Sequence, residues 1–414
     1  MSALRSTLFS CALGLALLGM VMVYSATYRD YGAHYLLVRG LHLALGLGVF
    51  VLASRVRYTQ WRSVTQYLYF AVLGLLVLVL VPGIGSAVGG ARRWIDLGFM
   101  SLQPSEFAKL AAVLVLACAL ARLPAGSGLP YRTLAAVGVL VGLILLQPDF
   151  GTSVVLVCGA AGALWASEVR TGDLLAAGGL GVVALVLVML VEPYRRDRFM
   201  TFLDPWSVSD GSGYQVVQAL IAIKAGNAFG SGAGGGAESA AIPEVQTDMI
   251  FALIGEELGL FGMVVVILAF CALVVCGYRI ALEAPTVMSR CLAAGLTTMF
   301  AAQAVFNMGA VMVVLPLAGI TLPFISYGGS SLIVCFAAVG ILYRISADSE
   351  RARAVKPARS GKPSRARSGG PTGRAKRKRL YKRSVNDKGG RRTGTGGNSG
   401  RRDRGTRDPR PLRG

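Results

Sequence analysis

Charged residues are scarce in this chain. They make up 15% of its 414 residues, where a soluble domain carries about 25%. With 54% hydrophobic residues, that shortage excludes a water-soluble enzyme of this length. Histidine is scarcer still: His34 and His42 are the only two, and neither stands in a pattern with carboxylates. A histidine metal centre or a His-based catalyst is therefore disfavoured. No Ser-His-Asp set can be assembled outside the apolar runs, which leaves a carboxylate as the general base. Seven cysteines among 414 residues are too few for a disulfide scaffold. All lie inside apolar runs without metal-ligand spacing. The glycine-rich stretch 226–236 is followed by no Gly-Lys-Ser/Thr and sits in no strand–helix context, so it is not a nucleotide loop. It reads as flexible backbone, re-entrant or on the surface. Acidic residues number 21 against 42 Lys and Arg, a net charge of +21. The excess is local: residues 351–414 hold 23 Lys/Arg against 3 Asp/Glu, leaving 19 against 18 in residues 1–350.

What the body does have is apolar length. Crossing a bilayer takes about 20 mainly apolar residues. Ten runs qualify, near 6–26, 35–54, 66–84, 106–123, 132–147, 150–168, 172–192, 248–277, 288–314 and 330–346. They are continuous rather than alternating, which excludes a membrane β-barrel. Several are Gly/Ala-rich, which lets helices approach closely. The first run, 8–23, outlasts the roughly 7–15 residues of a signal peptide's core and reads as a signal anchor. The expected fold is an all-α polytopic membrane protein with ten transmembrane helices. A membrane domain of 1–346 carries a long extracytoplasmic loop, 193–247, between helices 7 and 8. A basic, disordered cytoplasmic tail follows, 347–414. An even number of spans puts both termini on one side, and the tail's Lys/Arg assign that side to the cytoplasm.

The outward loops break the positive-inside bias with Arg92, Arg93, Arg195, Arg196, Arg198 and Lys224. Binding an anion there is one reading; the other is that long loops translocate regardless of charge. Charges within the spans are costly and so informative. Glu106 and Lys109 are three apart and can share a helix face. Asp149 ends Gln147-Pro148-Asp149 at an outer junction. Glu256 and Glu257 lie two turns into the eighth run. On a helix continuous from Asp248, Glu256 would lie about 12 Å deeper. These charges read either as a polar cavity open to the outside or as an internal ion pair of Lys109 with Glu256 or Glu257. A third polar outward segment, 319–331, contains Ser326 and Tyr327.

Several of these segments carry a resemblance. Gly-Ala-Arg-Arg-Trp-Ile (90–95), Gln-Pro-Ser-Glu-Phe-Ala-Lys (103–109) and Gln-Pro-Asp-Phe-Gly-Thr (147–152) resemble the SEDS family (shape, elongation, division and sporulation). So do Pro-Glu-Val-Gln-Thr-Asp (243–248), Gly-Glu-Glu-Leu-Gly (255–259) and Leu-Pro-Phe-Ile-Ser-Tyr-Gly-Gly-Ser-Ser (322–331). The match runs in order through 1–346 and leaves the tail unaccounted for. It implies a ten-helix peptidoglycan glycosyltransferase that polymerises lipid II at the outer face of the cytoplasmic (inner) membrane. The implied partners are a class B penicillin-binding protein (FtsI-like) and other divisome proteins. The family's catalytic Asp, in its Pro-Glu-x-x-Thr-Asp motif, matches Asp248. Ile242, Met249 and Asn227 depart from the usual neighbours, which touches loop detail rather than chemistry. The 211–218 and 319–323 runs look more like division-type members than elongation-type ones, although Trp-Ile-Asp-Leu-Gly (94–98) suits the latter.

In that reading Asp248 is the general base of an inverting transfer. Arg92, Arg93, Lys109, Arg195, Arg196, Arg198 and Lys224 are candidates for the pyrophosphate and headgroup. Glu106, Asp149, Glu256, Glu257, Ser326 and Tyr327 support the cavity. A divalent cation, Mg or Mn, could share the pyrophosphate's charge, although no ligand cluster marks a site. A lipid II flippase is the rival function, but it needs no carboxylate at the outer mouth, and the halves of a repeat transporter are not evident. A recruiting scaffold is a third. The tail reads as a topology determinant or as a binder of anionic lipids; nucleic acid is disfavoured.

Overall fold

Apolar runs in a bilayer form helices because every backbone polar group must be satisfied internally. The computed structural model describes residues 2–88, 91–98, 100–191, 193–209, 211 and 213–355, without the side chains of 87, 88, 185, 191, 193–195 and 355. The expected tail thus lies outside the described residues from 356 onward. Thirteen α-helices occur in the described part: α1 (Ser2–Tyr31), α2 (His34–Arg55), α3 (Tyr58–Leu78), α4 (Pro104–Leu120), α5 (Tyr131–Leu146), α6 (Phe150–Trp165), α7 (Thr171–Val191), α8 (Pro193–Leu203), α9 (Tyr214–Gly226), α10 (Ile250–Glu257), α11 (Gly259–Leu282), α12 (Val287–Val311) and α13 (Gly329–Val355).

Each expected run overlaps a helix. Seven helices are long and apolar enough to cross a membrane: α1, α2, α3, α7, α11, α12 and α13. Helices α4, α5 and α6 have 17, 16 and 16 residues. They are shorter than the typical crossing of about 20 residues, α4 lying at the lower end of its range. The chain is a mostly helical, multi-pass membrane protein, with seven helices of full spanning length among the described residues.

Three local departures matter for the site. The eighth run is broken: α10 ends at Glu257, and Gly259 turns the chain with φ +67 before α11. A side chain at Gly259 would collide with the backbone of Ala228 and Gly230, so glycine is required there twice over. The single run 248–277 is therefore corrected to two helices, with Asp248 in the turn before the first. The long 193–247 connection is structured, holding α8, α9 and two 3-10 turns, Trp206–Val208 and Ser239–Ala241. Finally, the segment after α3 forms a three-stranded antiparallel sheet that the all-α expectation omitted. Its strands are β1 (Gly85–Val88), β2 (Ala91–Asp96) and β3 (Ser101–Leu102), in that order. Pairing of Ser86 with Trp94 and Ala87 with Arg92 leaves Arg93 as the extra residue of a β-bulge. Bulges re-aim side chains, and this one separates the fates of two adjacent arginines.

The core combines buried Phe, Leu and Ile side chains, such as Phe251, Phe300 and Phe336, with close approach of helices at glycines. Gly159 of α6 and Gly295 of α12 face each other. A Cβ on Gly295 would lie 3.0 Å from the Gly159 carbonyl oxygen. On the other side, Gly340 of α13 packs on Phe50 and Ala53 of α2. Lipid is as apolar as the helices, so van der Waals fit of this kind holds membrane helices together. Arg5 near the start of α1 pairs with Glu350 near the end of α13 at 2.6 Å. Both chain ends of the membrane domain therefore lie at one end of the bundle. The helix α13 continues to Val355, past the apolar run that ends near 346.

Candidate active site

Asp248 sits in the turn that leads into α10. Its neighbours fix that turn from several directions. The Thr247 N–H donates to the Glu244 carbonyl at 2.9 Å, and the Tyr327 N–H to the Gln246 carbonyl at 2.8 Å. The Gln215 amide donates to the Pro243 carbonyl at 3.2 Å. The Thr247 hydroxyl lies 2.7 Å from the Glu244 carbonyl and 3.3 Å from Asp248 Oδ1. Its single proton favours the nearer acceptor, so the Asp248 carboxylate is only weakly capped. Asp248 is half-buried. Enclosure pushes its pKa above the ordinary carboxylate value; its own backbone N–H, Arg198 and Thr247 pull the other way, and Glu244 adds to the rise. A carboxylate moved toward neutrality is a better general base.

Asp248 lines a cavity of about 1030 Å³. The three polar outward segments meet there: the β1–β3 sheet with Gln103, the chain from Arg198 to Asp248, and the stretch from Pro316 to Gly329. Glu106 and Tyr327 line it too, as do both histidines. Among the described residues no group of three or more His, Cys, Asp or Glu could hold a metal ion.

The expected cations divide sharply. Arg198, half-buried on α8, lines the cavity and donates to the Leu317 carbonyl at 3.3 Å. Arg93 lines it as well, but the bulge turns its guanidinium onto the Gln147 carbonyl, 3.0 Å away, and the Pro148 carbonyl. Arg92, one residue before it, is exposed and outside the cavity wall. Arg196 and Lys224 are likewise exposed and outside it. The Arg195 side chain lies outside the described residues. Lys109 is buried behind the wall, paired with Glu106 at 2.9 Å and with Gln303 Oε1 at 2.8 Å. The expected pairing of Lys109 with Glu256 or Glu257 does not form.

Those two carboxylates hold the glycine-rich stretch and the turn that follows it instead. Glu256 accepts the backbone N–H groups of Glu238 and Ser239, both at 2.8 Å. Glu257 accepts the Ser25 hydroxyl at 2.5 Å and the Gly234 N–H at 3.1 Å. The stretch also donates from Ser231 and Gly232 to the carbonyls of Glu256 and Glu257. Neither carboxylate lines the cavity. Asp149 caps α6 through the Thr152 N–H at 3.2 Å and gathers Gln103 and Ser105 at 3.2 and 3.1 Å. Ser326 closes a buried turn by accepting the Leu322 N–H at 2.8 Å. These residues build the wall rather than face into the cavity.

Sequence reading missed several polar residues. Ser330 Oγ accepts the Gln103 N–H at 3.0 Å and donates to the Ser101 carbonyl at 3.1 Å, tying α13 to β3. Arg39, buried in α2, donates to the carbonyls of Phe324 and Ile325 at 2.5 and 3.1 Å. Gln303 and Asn307, both buried in α12, reach toward the 319–328 segment. An available signal was their position: amides and an arginine inside otherwise apolar runs.

Comparison with known proteins gives a consistent result. The FtsW/RodA/SpoVE cell cycle protein family matches residues 5–351. The probable peptidoglycan glycosyltransferase FtsW of Coxiella burnetii is 39% identical over 355 residues, covering 82% of this chain and 95% of that protein. A chain from a peptidoglycan synthase complex, described as coordinating polymerization and crosslinking, superposes with TM-score 0.71 and 31% identity over 83% of this chain and 97% of its own. The rod shape determining protein RodA of Thermus thermophilus superposes with TM-score 0.62 and 29% identity, over 83% of this chain and 96% of that one.

Proposed function

The chain belongs to the FtsW/RodA/SpoVE family of cell cycle proteins, and from that premise we propose that it polymerises lipid II with Asp248 as general base. It is a peptidoglycan glycosyltransferase of the division type, as its FtsW relatives are named. The observation that carries the residue assignment is Asp248 itself. It is a half-buried carboxylate with a raised pKa, sharing a cavity with Arg198.

Chain growth joins a sugar hydroxyl of one lipid-linked saccharide to the anomeric carbon of another. Asp248 takes the hydroxyl proton as the oxygen attacks. The bond from the anomeric carbon to the pyrophosphate oxygen breaks, and the pyrophosphate leaves on its lipid. Attack opposite the leaving group inverts the anomeric centre. Arg198 is the cation best placed to offset the developing charge. A divalent cation would supply Lewis-acid neutralisation of the pyrophosphate. The described residues offer no ligand cluster for one, so no step is assigned to it.

The remaining parts of the reading follow the same premise. A class B penicillin-binding protein is the proposed partner, in keeping with the synthase complex that resembles this chain. The shared end of α1 and α13 is assigned to the cytoplasm of the inner membrane, because the basic segment follows it. The membrane domain is taken as 1–346, and contact between the basic tail and anionic lipid is its proposed role.

The test is lipid II polymerisation by the purified full chain with its crosslinking partner. Asp248→Asn is expected to abolish glycan product while retaining the folded, monodisperse protein. Product formed at the wild-type rate by that variant would refute the base assignment.

A further inference from the structure

Two amides on α12 stand behind the cavity wall without facing the cavity. Asn307 is 2% exposed. Its Nδ2 lies 2.8 Å from the Asp248 carbonyl oxygen and 2.7 Å from the Ile320 carbonyl oxygen. Both neighbours are acceptors, so the atom between them must be the nitrogen, and both its protons are engaged. Four residues earlier on the same helix face, Gln303 repeats the arrangement. Its Nε2 donates to the Thr321 carbonyl at 2.9 Å, and its Oε1 accepts from Lys109 Nζ at 2.8 Å. Lys109 in turn holds Glu106.

The two rungs therefore grip consecutive carbonyls, Ile320 and Thr321, of one loop. One rung joins that loop to Asp248, and the other joins it to the Lys109–Glu106 pair. Asp248 and Glu106 both line the cavity, whereas Gln303, Asn307 and Lys109 do not. We propose that Asn307 and Gln303 are positioning residues. As a two-rung amide clamp, they fix where Asp248 sits relative to Glu106 across the cavity. This rests on the reading of Asp248 as general base. Asn307 touches no substrate and acts through the Asp248 backbone. The turn carrying Asp248 precedes a helix of only 8 residues, α10, which is itself followed by a break at Gly259. The amide from the largely buried α12 is the direct attachment of Asp248 itself to the bundle core.

A positioning role predicts a loss in turnover without a loss in binding. A displacement of about 1 Å in a catalytic group can cost 10²-fold in rate. For Asn307→Ala in the full chain with its partner, kcat for lipid II polymerisation is expected to fall by about 10- to 100-fold, with KM within about threefold. Asn307→Asp, which sets a carboxylate against two carbonyls, is expected to lose more than Asn307→Ala. Lipid II affinity is measured separately in the Asp248→Asn background, where no product forms. There, adding Asn307→Ala should leave Kd within about threefold. If Asn307→Ala does not accumulate, Asn307→Ser, which keeps one donor, is read on the same assays, with a smaller kcat loss and the same unchanged KM and Kd expected. The clamp is overturned if Asn307→Ala turns over within twofold of wild type while Asp248→Asn is inactive. It is also overturned if Kd weakens as much as kcat/KM falls. An active Asp248→Asn would instead overturn the base reading on which the clamp rests.

Discussion

Breaking the Glu106–Lys109 pair should cost far more than deleting it whole. The two charges are 2.9 Å apart, with side chains 2% and 5% exposed for Lys109 and Glu106. At an effective dielectric of about 20, attraction at that distance is about 6 kcal/mol. Taking each ion out of water costs several kcal/mol even after relaxation, so the pair roughly breaks even. Lys109→Met removes the attraction and leaves a buried carboxylate with its desolvation uncompensated. A loss of about 3–5 kcal/mol follows. Glu106→Gln leaves the ammonium with Gln303 alone and should cost a similar amount. The double variant removes both ions, fills the same volume and should lie close to wild type. The assay is a double-mutant cycle on the full chain in one detergent, read as apparent Tm at a fixed scan rate. Singles should fall by on the order of 10 °C, and the double by only a small fraction of that. If the single losses simply add in the double, the two ions are not balancing each other as a buried pair. The reasoning would then be refuted.

Asp248 titration gives a second expectation, with two signs. The base must be ionised to accept a proton, so kcat should fall as pH drops through the raised pKa of Asp248, at a higher pH than for an ordinary Asp. A pH–rate profile with its limb at the ordinary carboxylate value would count against enclosure. The folded pKa lies above the unfolded one, so the native state binds more protons and its stability declines as pH rises through that window. At neutral pH the ionised group therefore destabilises the fold, and Asp248→Asn should melt higher than wild type in a thermal scan. Among the cations, Arg198→Ala should lower kcat by about 10- to 100-fold, the worth of one charge-assisted hydrogen bond. Arg196→Ala and Lys224→Ala, away from the cavity, should stay within about twofold in the same polymerisation assay. Asp149→Ala loses the α6 cap and the bonds from Gln103 and Ser105. A cap alone is worth about 1 kcal/mol, so the variant should show a lowered apparent Tm, measured beside wild type.

Much of the scaffold was legible because hydropathy in a bilayer leaves few options. A run such as 35–54 can only be a helix, and α2 is one, His34–Arg55. The three polar outward segments were also legible, since polarity and punctuation by Gly and Pro set them apart from the apolar runs, and they do converge on one cavity. Less legible was anything decided by tertiary packing. The break before α11 falls in a run, 248–277, whose apolarity is unbroken enough to read as one helix. Only the contact of Gly259 with Ala228 and Gly230 makes that glycine a turn. The bulge that aims Arg93 inward and leaves Arg92 outside depends on the register of β1 against β2, which two adjacent arginines do not encode.

The misplaced cations and carboxylates have a common cause. Irregular backbone at membrane depth is tolerated only where it is buried in protein or lines a watery cavity, and its carbonyls must still find donors. Here the irregular stretches that build the cavity wall find them in long polar side chains. Arg39 serves Phe324 and Ile325, Asn307 serves Ile320, Gln303 serves Thr321, Arg198 serves Leu317 and Arg93 serves Gln147. Carboxylates do the reciprocal work for N–H groups, Glu256 at Glu238 and Ser239, and Asp149 at Thr152. The residue types that hold a broken backbone are the same types that would bind a pyrophosphate or move a proton. In a membrane enzyme both sets occur in the same few segments, because a reaction site there requires a cavity and a cavity requires broken helices. Residue type and depth alone therefore overcount the chemistry. Among the carboxylates, geometry separates the two by asking whether the partner is a distant stretch of the chain. By that criterion Asp248, whose carboxylate meets its own N–H and a weak contact from Thr247 and is not tied to a distant segment, stands apart from Asp149 and Glu256.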